Sequence, residues 1–163
     1  DRFPQAPFAH YCYGLFLLSQ GADDAALAQF REEMTVQPRS VYPRLQTAFE
    51  LLKRGDYAAA RPYAEEAVRL APGLFAAHNA LGRILVELDE VPRAVAELEE
   101  AARLAPESPE MYFALAHAYG RAGRTADAEK ARATFQRLDA ARRAGKARTA
   151  ADDPSGRPPV ARQ

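Results

Sequence analysis

A proline recurs every 34 residues in this chain, at Pro4, Pro38, Pro72 and Pro106. The tripeptide Leu-Ala-Pro ends at the last two of these prolines, and apolar runs with the spacing of a helix flank each copy. Self-similarity at a fixed period of about 20 to 50 residues is the signature of a repeat architecture, in which similar units stack on one another. The period therefore favours a stacked array over a fold with a single core.

Aligning the chain on its prolines divides it into four units. The units are 7–40, 41–74, 75–108 and 109–142. Each unit splits into two halves of helix length, in which apolar residues recur at i, i+3 or i+4 and i+7, whereas the alternation typical of strands is absent. We therefore predict an all-α fold, an α-solenoid of four stacked helix-turn-helix repeats with a C-terminal helix extension.

Residues that end helices stand between the halves of each unit. Gly21, Gly55 and Gly123 occupy matching positions, with Asp89 in the third unit. Glycine at such a place suits a helix C-terminus that enters the left-handed region of backbone space. The periodic prolines then end the second helices, because proline cannot continue a helix. The pattern predicts eight antiparallel helices with turns near residues 21, 38, 55, 72, 89, 106 and 123.

Small residues recur where two helices must approach closely. In the first helices they are Gly14, Ala48, Gly82 and Ala116, and in the second helices they are Ala26, Ala60, Ala94 and Ala128. A hydrogen atom or a methyl group at these points lets the helix axes come close together. We therefore predict one tightly packed seam within each helix pair.

These signatures resemble the tetratricopeptide repeat, whose pattern is large-x2-Leu-Gly-x2-Tyr, then Ala-x3-Phe, then Pro. The third unit supplies His78, Leu81, Gly82, Leu85, Ala94, Leu98 and Pro106. The second unit matches more loosely. The fourth departs from the pattern, with Arg132 where a large apolar residue is usual and Ala140 in place of the proline. A last repeat has no following helix to cover it, so a polar outer face is expected there.

The two ends of the chain differ from the repeats. Residues 1–6 are predicted to be the remnant of a preceding repeat or a linker, because Pro4 lies one full period before the next proline of the series. The repeat array is expected to span 7–144, with its last helix ending near Gly145. Residues 145–163 are rich in proline, glycine and charge and poor in large apolar side chains, which predicts a flexible tail.

The charge and the apolar stretches limit the classes of partner. The 22 basic and 22 acidic residues balance, so overall charge gives no reason to propose nucleic acid. A basic cluster at Arg142, Arg143 and Lys146 suits the negative end of a helix dipole. A nucleic-acid patch is the alternative for this cluster, although no aromatic residue interleaves it. No apolar stretch is as long as a membrane span, so membrane insertion is not expected.

No pattern in the sequence indicates catalysis, a cofactor or a metal. Glycine-rich phosphate loops and nucleophile motifs are absent, and no histidine has a cysteine or a second histidine at ligand spacing. His10 and His78 take equivalent places and are predicted to be packed structural residues. Acidic pairs such as Glu32–Glu33 recur once per repeat and predict a solvated convex face. The chain is therefore predicted not to be an enzyme.

The resemblance implies that function lies on a concave groove lined chiefly by one face of the first helices. Carried onto this chain, the predicted peptide-binding groove consists of Phe8, Tyr11, Tyr42, Phe49, Asn79, Arg83, Phe113, His117 and Arg121. Its N-terminal half would be aromatic and apolar, and its C-terminal half polar or basic. Two interpretations remain open for the aromatic residues, which either line the groove or belong to an ordinary core.

Three hypotheses about function follow. The first is a non-catalytic interaction scaffold that binds a partner peptide or protein in the concave groove. The alternative is a targeting or oligomerisation segment of a larger enzyme or multidomain protein. The third is an array that self-associates through its exposed end repeats. For Phe8 and Tyr11 we expect an apolar surface that another chain or a ligand covers.

Overall fold

The computed structural model describes residues 8–151, with side chains described through residue 147, and these residues form eight α-helices and no strand. The helices are α1 Ala9–Ser19, α2 Asp23–Val36, α3 Val41–Arg54, α4 Tyr57–Leu70, α5 Phe75–Glu87, α6 Val91–Leu104, α7 Pro109–Arg121 and α8 Thr125–Ala151. Each odd-numbered helix packs against the even-numbered helix that follows it, and from α3 onward also against the one before it. The predicted all-α solenoid and its turns are confirmed.

Residues with left-handed backbone make the turn inside each helix pair. The φ angles are 73° at Gly21, 81° at Gly55 and 70° at Gly123, and Asp89 adopts 61° at the corresponding place. Glycine takes such angles without a steric cost, and aspartate is one of the few other residues that adopt them. The repeated turn reverses the chain at the same point of every unit, so all four first helices lie on the same side of the array.

Close contacts at the predicted seams set the distance between paired helices. The fully buried alanines of these seams are Ala26, Ala48, Ala60 and Ala94. A Cβ atom added to Gly14 would lie 2.5 Å from Cε1 of Phe30, and one added to Gly82 would lie 2.5 Å from Cγ of Leu98. Neither glycine can therefore gain a side chain unless its neighbour moves.

One of the acidic residues predicted to be solvated is instead buried. The Glu33 side chain is fully buried and accepts hydrogen bonds from the backbone N–H of Phe8, over 2.9 Å, and of Tyr11, over 3.1 Å. The Gln37 side-chain amide donates a third hydrogen bond to it. The first N–H groups of a helix have no partner inside it. The prediction of a solvated face is therefore wrong for Glu33, because its carboxylate caps α1 from the neighbouring helix.

The last helix is longer than the sequence predicted. It continues to Ala151 instead of ending near Gly145, so residues 145–151 of the expected tail are helical. One glycine in a helix interior costs about 1 kcal/mol relative to alanine, and the Ala, Lys and Arg residues around it favour the helix. The predicted end near Gly145 is therefore wrong. The remnant expected at 1–6 and the rest of the tail, 152–163, lie outside the described residues.

Two arginines of the basic cluster pair with carboxylates, and the cluster lies inside α8 instead of at its end. The Arg142 and Arg143 side chains each lie 2.7 Å from a carboxylate oxygen of Asp139, and Arg142 also donates to Glu110 on α7. The Arg142–Glu110 pair joins the start of α7 to α8, whereas the two pairs with Asp139 lie within α8. Among residues 8–151, no helix has both the length and the apolar character needed to cross a membrane.

Candidate peptide-binding groove

A cavity of about 510 Å³, here called the groove cavity, lies on the face formed by the first helices. It is lined by Leu52, Tyr57, Arg83, Val86, Glu87, Glu110, Phe113, Ala114, His117, Phe135 and Arg142. Helices α3, α5 and α7 contribute most of this lining, while α4 contributes Tyr57 and α8 contributes Phe135 and Arg142. The groove cavity therefore spans the second, third and fourth repeats.

Two phenylalanines form the apolar wall of the groove cavity. The ring centroids of Phe113 on α7 and Phe135 on α8 lie 5.6 Å apart, with the ring planes tilted by 56°. Tilted pairs at this distance are favourable, since the edge of one ring meets the face of the other. Phe113 is nevertheless 65% exposed, more than any other large apolar side chain among the described residues. The pair thus presents apolar surface that a partner can cover.

The charged groups of the groove cavity differ in whether they have partners. Glu110 accepts a hydrogen bond from the Ser108 hydroxyl at 2.9 Å and one from Arg142. Its pKa lies below the ordinary value, chiefly because its own backbone N–H donates to it, followed by Ser108 and Arg142. Arg83 and Glu87 are exposed, and neither forms an ion pair or hydrogen bond with a described side chain. Arg83 is therefore free to bind a carboxylate of a partner.

Three of the nine predicted groove residues line this cavity, namely Arg83, Phe113 and His117. Aromatic surface thus extends into the C-terminal half, which the sequence predicted to be polar or basic. Arg121, also predicted there, instead pairs with Asp89 across 2.9 Å. Asn79 is buried, and its Oδ1 accepts no hydrogen bond from the described residues, which places it in the packed interior rather than on the open groove.

The other predicted residues lie outside the groove cavity. Phe8 and Tyr42 line a separate shallow depression at the turn between α2 and α3. Tyr11 is partly buried, with its ring centroid 5.9 Å from that of Phe30 and 6.1 Å from that of Tyr42. Phe49 is partly buried against the core. The structure therefore divides the expected N-terminal half of the groove between core packing and exposed aromatic surface.

Sequence reasoning missed the groove residues that come from second helices. Of these residues, only Phe135 could have been noticed in the sequence, because the second and third units have Ala67 and Ala101 at the equivalent position. Those two alanines are fully buried, whereas Phe135 is only partly buried. A phenylalanine in place of these alanines marks a change in what the fourth repeat packs against at this position.

A second pocket, also of about 510 Å³, lies between α7 and α8 and shares the same aromatic pair. It is lined by Phe113, Ala116, His117, Arg132, Phe135 and Gln136. We call it the α7–α8 pocket. Since Phe113, His117 and Phe135 line both cavities, a ligand in one of them would contact the wall of the other.

His78 has the packed structural role predicted for it. The side chain is buried, with Nδ1 located 2.7 Å from Oε2 of Glu97 and Nε2 located 2.9 Å from the carbonyl oxygen of Pro72. These two oxygen atoms hold the ring in place between α6 and the turn before α5. His10 contacts Gln29 in the equivalent place, with 2.7 Å between Nδ1 and Oε1. In the part of the chain that is described, no three His, Cys, Asp or Glu residues cluster as metal ligands would.

The family model of the tetratricopeptide repeat matches this chain twice, over residues 45–109 and 79–142. Together the two matches cover more than half of the sequence. The chain belongs to the tetratricopeptide repeat family. The resemblance seen in the prolines, seams and turns is thereby confirmed. In such arrays the stacked first helices offer an extended surface for binding other proteins.

Solved structures of MamA share the fold of this tetratricopeptide repeat chain. MamA from Desulfovibrio magneticus RS-1, residues 41 to the end, superposes with a TM-score of 0.76 at 21% identity, covering 84% of this chain and 77% of that one. A structure of MamA AMB-1 gives 0.69 at 21% identity, with 78% and 76% covered. A further MamA crystal structure gives 0.76 at 16% identity, with 85% and 81% covered. No curated protein matches this chain. At these identities the likeness shows the fold alone.

Proposed function

We propose that this chain is a non-catalytic scaffold that binds an extended or helical segment of a partner protein in the groove cavity. The observation that carries the proposal is the exposed Phe113–Phe135 pair in a cavity that spans three repeats. Repeat arrays bind partners through extended surfaces of this kind, and each repeat contributes one helix to the surface.

The groove cavity combines aromatic surface, which supplies binding free energy, with a positive charge, which supplies selectivity. Interface energy concentrates in a few aromatic and arginine residues that become desolvated on binding. Phe113 supplies the aromatic surface. Arg83 supplies a positive charge that favours an acidic stretch in the partner and accelerates association at low salt. Tyr57 and Val86 extend the apolar part of the lining toward the second repeat.

The test begins with a partner captured by the full chain and identified by mass spectrometry, followed by measurement of its affinity for purified variants. Phe113→Ala is expected to weaken binding about tenfold, the effect of a modest hot spot. Phe16→Ala is the matched control, because Phe16 is 57% exposed on α1 and lies outside the groove cavity. Arg83→Gln should weaken binding less and lose its effect at high salt.

The helical circular dichroism signal should be the same for all three variants, which excludes unfolding as the cause. Wild-type affinity in both Phe113→Ala and Arg83→Gln would show that the groove cavity is not the binding surface. Loss of affinity in Phe16→Ala alone would place the binding surface on α1.

Self-association through an end repeat is a second candidate, supported by the exposed apolar surface of α1. Tyr13 and Phe16 stack with 6.3 Å between ring centroids and are 52% and 57% exposed. Helix α1 contains no Asp, Glu, Lys or Arg. The solution mass measured by light scattering tests this candidate. A dimer or larger assembly that Phe16→Arg converts to monomer would support it, and a monomeric wild type would exclude it.

A further inference from the structure

The α7–α8 pocket lies on a surface of the fourth repeat. The corresponding surface of the third repeat is buried. Its residues Arg132 and Phe135 correspond, at a spacing of 34 residues, to Leu98 and Ala101 of the third unit. Both of those side chains are fully buried, and α7 packs across α5 and α6 at that level. In the fourth repeat the corresponding surface contains the α7–α8 pocket.

The side chains at these two positions differ between the third and the fourth repeat. Ala67 and Ala101, the counterparts of Phe135, are fully buried, and each contributes only a methyl group. Phe135 is much larger, and its ring packs against Phe113. The remaining space of about 510 Å³ is large enough for a single bulky side chain and its neighbours.

The polar groups around this pocket include a positive charge and no negative one. Its described lining contains Arg132, His117 and Gln136 beside the apolar side chains, and neither aspartate nor glutamate. A Cβ atom built on Gly120 would lie 4.0 Å from Nη2 of Arg132, so the guanidinium group lies against α7. Arg132 forms no ion pair or hydrogen bond within the described part of the chain.

The other described arginines of α8 do not share the combination of features found at Arg132. Arg142 and Arg143 both pair with Asp139. Arg137 has no carboxylate partner among the described residues either, but it lines neither cavity. Arg132 therefore combines an unused guanidinium group with a place beside an apolar pocket, and Arg137 provides a matched control for its charge.

We propose that the α7–α8 pocket binds a large apolar side chain of a partner segment and that Arg132 binds the carboxylate of an Asp or Glu adjacent to it. The guanidinium group matches a carboxylate in shape and can donate two parallel hydrogen bonds to it. Desolvation of the apolar side chain against the Phe113–Phe135 pair supplies the affinity, and the carboxylate sets the orientation. The inference rests on the proposed function, because it specifies the chemistry of the segment that is bound.

A random peptide library displayed on phage and selected against the full chain supplies the probe for the test. The enriched sequence is synthesised with an acetylated N terminus and an amidated C terminus, so that every carboxylate belongs to a side chain. We expect enrichment of a large apolar residue next to Asp or Glu. Affinity is then measured by the fluorescence anisotropy of the labelled peptide.

The variants distinguish binding of the peptide carboxylate by Arg132 from a role of Arg132 in folding. Arg132→Gln should weaken binding about tenfold, whereas Arg137→Gln should leave it unchanged. Replacing the acidic residue of the peptide by its amide should weaken binding to the wild type and abolish the difference between wild type and Arg132→Gln. Gln136→Glu places a carboxylate at the rim of the pocket and should also weaken binding about tenfold, because like charges repel. It changes an exposed side chain, so folding is retained.

Three outcomes would overturn the inference. Peptides whose binding responds to Arg83→Gln, but not to Arg132→Gln or Gln136→Glu, would exclude the α7–α8 pocket and leave the groove proposal intact. Binding that requires a free C-terminal carboxylate would exclude an internal acidic residue as the ligand. A library from which no peptide is enriched would count against both the pocket and the groove.

Discussion

The hydroxyl of Tyr119 on α7 donates a hydrogen bond to Oε1 of Glu99 on α6 over 2.8 Å, which joins the third repeat to the fourth. The guanidinium carbon of Arg124 lies 4.3 Å from the centre of the same ring. Burial, followed by the bond to Glu99, raises the pKa of Tyr119 from 10.0 to about 12. The tyrosine thus keeps its proton in the folded state over a range of pH in which the unfolded chain loses it.

This pKa predicts how stability falls in alkali. The contribution of Tyr119 is complete below pH 10.0 and is lost as the pH rises to about 12, because only the unfolded state releases the proton in that interval. Tyr119→Phe should therefore reduce the decline in the free energy of unfolding across this interval, as measured by urea unfolding at a series of pH values. Tyr13→Phe removes an exposed hydroxyl on α1 and is the control. Equal slopes for wild type and Tyr119→Phe would refute the prediction.

Removing the carboxylate that caps α1 should destabilise the first repeat. Glu33→Ala leaves the backbone N–H groups of Phe8 and Tyr11 without their partner and should cost about 1–3 kcal/mol. Glu32→Ala, at the exposed neighbouring residue, should change the free energy of unfolding by less than about 0.5 kcal/mol. Hydrogen exchange should also accelerate at the start of α1 in Glu33→Ala, and unchanged protection there would contradict the capping role.

A methyl group added to the seam of the third repeat should overpack it. Gly82→Ala places Cβ 2.5 Å from Cγ of Leu98, which has to shift, and we expect a loss of about 1–3 kcal/mol. Gly73→Ala is the matched control, since nothing lies within 4 Å of a Cβ atom there. Thermal unfolding followed by circular dichroism compares the two. If Gly82→Ala were as stable as Gly73→Ala, the seam would have more room than the structure shows.

The turn of the third repeat contains a strained backbone position, and substitutions at this position should change the stability of the protein. Asp89 adopts a φ of 61°, where the matching residues of the other repeats are glycines. The free energy of unfolding of Asp89→Ala should lie about 1–2 kcal/mol below that of Asp89→Gly, because a non-glycine residue incurs this cost in the left-handed region and alanine has no polar side chain to offset it. Asp89→Gly should be at least as stable as the wild type, although the exposed pair with Arg121 is lost. A more stable Asp89→Ala than Asp89→Gly would refute the prediction.

Local chemistry repeated at a fixed spacing made the fold predictable from the sequence. Gly55 ends a helix because of its own backbone freedom, and Gly82 marks a close approach because it has no side chain. Because equivalent positions recur every 34 residues, an inference made for one repeat applies to the others. The eight helices and their turns followed in this way. The groove residues Arg83, Phe113 and His117 were chosen from the resemblance to the tetratricopeptide repeat, and their role in binding stays a prediction.

Contacts between helices that are distant in sequence decided the rest, and only the tertiary structure shows them. Glu33 belongs to an acidic pair like those of the other repeats, and its burial depends on the start of α1 coming within 2.9 Å of it. Phe135 lies in a second helix, and it reaches the groove because α8 packs beside α7, where Phe113 contacts its ring. A residue's own chemistry is read directly from the sequence. The neighbours that bury or expose it are determined by how the repeats stack, and at the two ends of the array those neighbours differ from the ones in the interior.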